Sequence, residues 1–144
     1  TKGGLDRADD MIRLAKENKW SYDVRQIATG NKQRWPHTSF AMSECRNLFN
    51  HGQKHDGPNL RVMESMASLR PLISDSDPLS GMDKLFTSGV HYFDTDDNGG
   101  LKHAMKWCIE HPEQAESIAH KAYKRVVKNH TIKSRVEQVL EVVS

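Results

Sequence analysis

Two carboxylates within residues 55–67 have the types and spacing that could bind a ligand. Asp56 and Glu64 lie eight positions apart in HDGPNLRVMESMA, and between them Pro58 suits the first turn of a helix. If the helix begins at Pro58, the 3.6-residue period places Glu64 within an otherwise apolar face, where an acid needs a partner. The members of this predicted face are Leu60, Met63, Glu64 and Ala67.

The predicted helix start itself could bind an anion. The first turn of a helix offers unpaired backbone N–H groups and the positive end of the helix dipole, which together favour a phosphate. A ligand with both hydroxyls and phosphates would satisfy the acid and the helix start, and a nucleotide is such a ligand. The alternative is that Glu64 pairs with an arginine such as Arg61 or with a backbone group.

Four phrases occur in an order that resembles a known family. The acid-x7-Glu spacing of Asp56 and Glu64 is followed by three longer phrases, NLRVMESMASLRPLISD, GMDKLFTSGVHYFDTDD and HPEQAESIAHKAYKRVVKNHTIKSRVEQVL. The series is similar to the group 1, CgeB-like branch of retaining GT-B glycosyltransferases, and the likeness covers residues 2–140. It implies the nucleotide-sugar-binding half of such an enzyme, with a nucleoside diphosphate sugar as donor substrate and no cofactor.

The resemblance also implies roles for particular residues. Glu64 would accept the vicinal ribose hydroxyls, and Asp56 would lie near the transferred sugar as the catalytic candidate. Lys2 would offset the charge of the leaving diphosphate, and Lys54 and Arg61 are alternatives for that role. The backbone that would face the diphosphate comprises Gly57, Asn59 and Leu60.

The chain departs from the family pattern in two places, which keeps a second interpretation open. Asp56 replaces the commoner first Glu of the motif, and Ser68 stands where the family commonly has Gly. The alternative is a non-catalytic interaction or oligomerisation module derived from the GT-B fold.

Histidines beside the motif suggest a metal site that we do not assign. His51 and His55 are four residues apart, but they lie in a predicted loop, and no third ligand stands at metal spacing. By resemblance, GT-B enzymes generally hold no catalytic metal.

Helix and strand signals alternate along the first two thirds of the chain. We expect an α/β, Rossmann-like three-layer domain with a mostly parallel sheet, the C-terminal half of a GT-B fold, followed by a helical tail. Strands are predicted at residues 22–28, 46–50, 70–74 and 90–93, and helices within 4–20, 36–45 and 80–86 and from residue 99 onward.

The length of 144 residues suits a single domain and is too short for a complete GT-B enzyme. We expect one donor domain over residues 1–144, lacking its first strand and the acceptor-binding domain. The isolated chain would then be inactive. The open sheet edge would pair with a missing domain, a partner chain or a second copy.

Composition excludes several classes of protein. The chain is 36% hydrophobic and 28% charged, and it has no apolar run long enough for a transmembrane helix. Cys45 and Cys108 are isolated, which together with the absence of a leader predicts the cytoplasm. A net charge of +2 does not indicate nucleic-acid binding, and the basic run over residues 121–135 is interpreted as a solvated helix face rather than a membrane or nucleic-acid surface.

Overall fold

The computed structural model describes residues 3–22, 34–50, 58, 60–75, 80–96 and 99–143, with side chains from residue 9 in the first helix and from residue 39 in the second. Within these ranges, helices and short strands alternate and then give way to helices alone. The elements are α1 (Gly3–Glu17), α2 (Arg34–Glu44), β1 (Leu48–Asn50), α3 (Leu60–Ala67), β2 (Leu72–Ser74), α4 (Met82–Leu85), β3 (Phe93–Asp94), α5 (Leu101–Glu110), α6 (Pro112–Asn129) and α7 (Ile132–Val143).

The strands of the described residues form one parallel sheet in the order β1-β2-β3. Leu48 pairs with Leu72, Asn50 with Ser74, and Ser74 in turn with Asp94. Parallel neighbours require a crossover, and α3 supplies it between β1 and β2 while α4 lies between β2 and β3. The predicted parallel sheet is confirmed.

The sheet is covered on both faces. Successive strand residues point to opposite faces, so Leu72 packs with α3 and α4 while Ile73 packs with α5, and α6 contributes to both sides. This three-layer arrangement confirms the predicted fold class. One buried cluster comprises Val62, Met66, Leu72, Met82, Phe86, Tyr92, Ala122 and Val126, and the other comprises Ile73, Phe93, Ala104, Cys108, Ala115 and Ile118.

The helical tail follows its sequence signals closely. Pro112 occupies the first position of α6, where its missing N–H costs no hydrogen bond. Thr131 caps α7, because its Oγ1 accepts a hydrogen bond of 3.1 Å from the backbone N–H of Ser134. Both helix starts and the presence of the tail are confirmed.

The core-facing side of α3 differs from the prediction. Leu60 is 63% exposed and Ala67 is also exposed, whereas Val62 and Met66 are almost completely buried. The predicted face is therefore wrong at Leu60 and Ala67, whereas its member Met63 is partly buried and packs against the core. The reason is that α3 packs on α6 and the sheet through residues 62, 65 and 66, which repeat at helical spacing just as well as the predicted set.

Three predicted boundaries differ from the structure or fall outside it. The strand predicted at 90–93 is β3 at Phe93–Asp94, because residues 87–91 form a turn in which the Thr87 N–H donates to His91 Nδ1 over 3.0 Å. Helix α3 begins at Leu60 rather than at Pro58. The strand predicted at 22–28 lies, apart from Tyr22, outside the described residues.

No helix within the described ranges is long and apolar enough to cross a bilayer.

Candidate functional site

Each of the three described strands ends in a buried polar residue. Asn50, Ser74 and Asp94 are adjacent in the strand register and are 6%, 1% and 3% exposed. They form a polar row across the carboxyl edge of the sheet. Ligands of open parallel sheets bind outside this edge, so the polar row marks the candidate site.

A hydrogen-bond relay joins the first two members of the polar row. Asn50 Nδ2 donates to Ser74 Oγ over 3.2 Å, and Ser74 Oγ donates to the backbone carbonyl of Asp75 over 3.0 Å. Burial makes each of these bonds costly to lose, because the freed partner would have no water to replace it. The relay therefore fixes the start of the connection that leaves β2.

Asp94 organises the connection that leaves β3. Its carboxylate accepts a hydrogen bond of 3.3 Å from the Tyr92 hydroxyl and one of 2.8 Å from the backbone N–H of Asp96. The neighbouring Thr95 N–H donates to Ser74 O over 3.1 Å. Asp94 thus holds the β3–α5 connection against the polar row and places a buried carboxyl group at the edge.

Helix α3 brings two of the predicted ligand-binding residues together. Arg61 Nη1 lies 3.0 Å from Glu64 Oε2, and the side chains are 40% and 17% exposed. This ion pair is the one that the alternative interpretation of Glu64 predicts. Leu60, the third predicted residue on this helix, is exposed in its first turn.

Glu64 is shielded although it does not point into the core. It stands two positions from both Val62 and Met66, about 200° around the helix from each, on the side away from α6. An exposed helix face would leave a glutamate in bulk water, but this side chain keeps only 17% of its accessible surface. Glu64 is therefore a sheltered carboxylate whose described partner, Arg61, is itself half-exposed.

The remaining predicted site residues fall outside the part of the chain that the structure describes. Lys2, Lys54, Asp56, Gly57 and Asn59 lie outside the described residues, as do His51 and His55. Among the residues that are described, no group of three or more His, Cys, Asp or Glu side chains could hold a metal ion.

The described cysteine of the core has no catalytic character. Cys108 is fully buried in the cluster beside Ile73 and Phe93, and burial raises the pKa of its thiol to about 12. At neutral pH the thiol is protonated and is not a nucleophile.

A cleft opens at the opposite edge of the sheet. A cleft of about 250 Å³ lies beside the amino ends of β1 and β2, with Asn47 and Arg70 on its walls and Cys108 among its lining residues. Arg70 Nη2 donates a hydrogen bond of 2.6 Å to Ser43 O, so one nitrogen of its guanidinium already has a partner within the protein. The rule for open parallel sheets places ligands at the carboxyl edge, so we assign the functional site there and not to this cleft.

The polar row was not predicted from the sequence. A weak signal for it was present, since the strand segments LFN, LIS and FD all end in a polar residue. Glu64 and Arg61, by contrast, were predicted as site residues from their motif, and that role stays a prediction.

Comparison with known proteins gives two similarities. A family model described as glycosyl transferase-like matches residues 8–141. Among solved structures, the chain is similar to the C-terminal domain of a glycosyl transferase group 1 family protein, LpcC, from Francisella tularensis, with a TM-score of 0.55 and 16% identity. The similarity covers 92% of this chain and 66% of that one, and at this identity it shows the fold alone. No curated protein matches the chain.

Proposed function

The chain belongs to the glycosyl transferase-like family, and on that premise we propose that it is the donor-binding domain of a retaining glycosyltransferase of the CgeB-like branch. The donor would be a nucleoside diphosphate sugar bound at the carboxyl edge of the sheet. The observation that carries the proposal is the sheltered carboxylate of Glu64, on a helix that follows β1, in the position where the family motif has its second acid.

Glu64 would hold the ribose of the donor. A carboxylate can accept hydrogen bonds from two vicinal hydroxyls, and low exposure strengthens such bonds because water competes less for them. In the free protein the guanidinium of Arg61 pairs with the carboxylate of Glu64 at 3.0 Å. Ribose binding would therefore exchange one partner of Glu64 for another rather than satisfy a bare charge.

Arg61 would then turn toward the diphosphate. Its side chain is 40% exposed and stands in the first turn of α3, where backbone N–H groups and the helix dipole also favour an anion. We assign the amides of Gly57, Asn59 and Leu60 to the diphosphate, Lys2 to the developing negative charge, and Asp56 to the transferred sugar as the catalytic candidate. Retention of configuration belongs to the same proposal.

The acceptor would bind elsewhere. The chain spans 66% of the solved chain to which it is similar, and that structure is itself described as a C-terminal domain. We propose that a separate domain or chain supplies the acceptor site, so that residues 1–144 bind the donor and transfer nothing by themselves.

Calorimetric titration with the common nucleoside diphosphates tests the proposal. At least one of them is expected to bind, and Glu64→Ala is expected to abolish or strongly weaken that binding. Glu110→Ala is the matched control, because Glu110 also forms an ion pair on a helix, 3.6 Å from Lys106. Absence of binding by every nucleotide, or equal losses in both variants, would contradict the proposal.

The ion pair itself favours the second candidate function. If Glu64 serves only to pair with Arg61, the domain is a non-catalytic interaction module that has kept the fold. In that case the thermal melting temperature of the chain would not respond to any nucleoside diphosphate, whereas a donor-binding domain would melt at a higher temperature in its presence.

A further inference from the structure

A group of basic side chains lies around the buried ring of Phe86, at the amino end of β3. The rings of His91 and His130 both contact this ring, with centroids 6.1 and 5.0 Å from its own. Arg125 of α6 donates from Nε to Leu85 O over 3.2 Å, which places its guanidinium beside the same turn. Residues 85–91 precede β3, so the group lies at the edge of the sheet opposite the proposed donor site.

Two further cations belong to this group. Arg135 Nη2 of α7 lies 2.6 Å from His130 Nδ1. Burial lowers the pKa of His91, and the nearby charges of Arg125 and Lys121 lower it further. Burial also lowers the pKa of His130, as do the charges of Arg135 and Arg125. We call these five residues, His91, Lys121, Arg125, His130 and Arg135, the basic cluster.

No acidic side chain of the described residues forms an ion pair with the three permanent cations of the cluster. The ion pairs found in that part of the chain involve other cations, and none includes Lys121, Arg125 or Arg135. Like charges that are held together without a counter-charge destabilise the compact state. A bound anion would offset this repulsion.

Hydrogen bonds determine where the two imidazoles carry their hydrogens. A guanidinium can only donate, so His130 Nδ1 accepts from Arg135 and the neutral ring carries its hydrogen on Nε2. The backbone N–H of Thr87 likewise donates to His91 Nδ1 over 3.0 Å, which leaves the hydrogen of that ring on Nε2. His130 Nε2 is buried and has no hydrogen-bond partner among the described residues. An acceptor from a ligand would recover the free energy that an unpaired buried donor costs.

The donors of the basic cluster match a phosphate group. A carboxylate would bring one negative charge and two oxygens to three cations and two imidazole N–H groups, whereas a phosphate group brings three strong acceptor oxygens and a charge of about −1.5 to −2 at pH 7. Guanidinium groups also bind phosphate oxygens through paired N–H donors. We propose that the basic cluster is a binding site for a phosphate group, separate from the proposed donor site.

NMR of the imidazole rings in the full chain tests the proposal, with inorganic phosphate as the probe at constant ionic strength. Phosphate should shift the ring signals of His91 and His130 saturably, with a dissociation constant on the order of 1 mM. It should also raise the titration midpoints of both histidines, because a nearby anion favours the protonated imidazole. Sodium chloride at the same ionic strength should do neither, and equal shifts with chloride would overturn the proposal.

Variants of the cluster test whether its cations bind the probe. Arg125→Gln and Arg135→Gln should each weaken phosphate binding at least about tenfold, since each removes a charged donor. Lys102→Gln is the matched control, because Lys102 is an exposed cation on α5, which packs on the other face of the sheet. Signals of both histidines that stay unshifted up to about 50 mM phosphate would overturn the proposal, as would an equal loss in Lys102→Gln. The signals are local to the two histidines, so neither outcome depends on nucleotide binding.

Vesicles distinguish a lipid headgroup from a soluble phosphate compound as the source of the group. If the source is a lipid, the chain should sediment with vesicles of phosphatidylcholine and phosphatidic acid in equal parts, but not with phosphatidylcholine alone, and Arg125→Gln should reduce this binding. A chain that binds inorganic phosphate but stays in the supernatant with both kinds of vesicle would take a soluble phosphate compound. Both results support the site and differ only in the source of its ligand.

Discussion

The side-chain amide of Asn50 donates a hydrogen bond of 3.2 Å to Ser74 Oγ and so ties the carboxyl ends of two neighbouring strands. Both residues are almost completely buried. The bond matters for the site because the connections that leave β1 and β2 begin at these two residues. Its removal should therefore affect both the stability of the domain and the order of the site.

Asn50→Ala is expected to lower the free energy of unfolding by about 1–3 kcal/mol, because it leaves the Ser74 hydroxyl buried with one partner fewer. Urea denaturation followed by circular dichroism measures the change. Ser43→Ala serves as control, since it removes a hydrogen bond of 2.7 Å to Phe40 O at an exposed site. If both substitutions lowered the free energy of unfolding equally, the buried Asn50–Ser74 bond would contribute no more to stability than an exposed hydrogen bond.

Truncation of α3 should reveal which of its faces is buried. Met66 is 0% exposed and Leu60 is 63% exposed. We expect Met66→Ala to cost about 2–5 kcal/mol of unfolding free energy and Leu60→Ala less than about 0.5 kcal/mol, as measured by chemical denaturation. The reverse order would mean that α3 packs on the face predicted from sequence and not on the observed one.

The two faces of α3 show how far the sequence could be interpreted. The existence of the helix followed from its apolar periodicity, and the structure confirms it. Which face is buried did not follow, because Leu60 with Ala67 and Val62 with Met66 both recur at helical intervals. The choice depends on α6, whose residues lie more than forty positions further along the chain.

The polar row could not be predicted from the sequence for a related reason. Sequence predicted a strand ending near each of Asn50, Ser74 and Asp94. Their adjacency depends on the register of a parallel sheet, which crossover helices and core packing determine together. The Glu64 motif could be identified because its two acids are close in sequence, yet its first acid falls outside the described residues.

The two cysteines should differ strongly in reactivity. Burial raises the pKa of the Cys108 thiol to about 12, whereas Cys45 is partly exposed. In the native protein at pH 8, we expect DTNB to titrate Cys45 and to reach Cys108 only after denaturation. Cys45→Ser should abolish the native reaction. Persistence of that reaction in this variant would mean that Cys108 becomes accessible without global unfolding.

Two histidines should make the domain less stable in mild acid. Burial lowers the pKa of His91 and of His130, and the positive charge of Arg125 lowers both further. A base whose pKa is lowered by folding stabilises the folded state above its unfolded pKa of about 6.5 and loses that contribution as pH falls through the folded value. The free energy of unfolding should therefore decrease from about pH 7 to pH 5.

Arg125→Gln tests whether the positive charge of Arg125 lowers the pKa of both histidines. It should raise the NMR titration midpoints of both histidines, because both pKa values include its charge. Lys121→Gln is the matched control and should raise only the midpoint of His91, whose pKa Lys121 also lowers. Unchanged midpoints in Arg125→Gln would contradict the electrostatic explanation.

The most direct test of the donor-binding proposal compares a nucleoside diphosphate with its 2′,3′-dideoxy analogue, using the base that binds best. If Glu64 accepts hydrogen bonds from the ribose, calorimetry of the unmodified chain should show about 10- to 100-fold weaker binding of the analogue, the range expected for hydrogen bonds to a charged group. Glu64→Ala should bind the two ligands equally, while Glu110→Ala should keep the full difference. A Glu64→Ala variant that still distinguishes the two ligands as strongly as the unmodified chain would contradict the proposed role of Glu64.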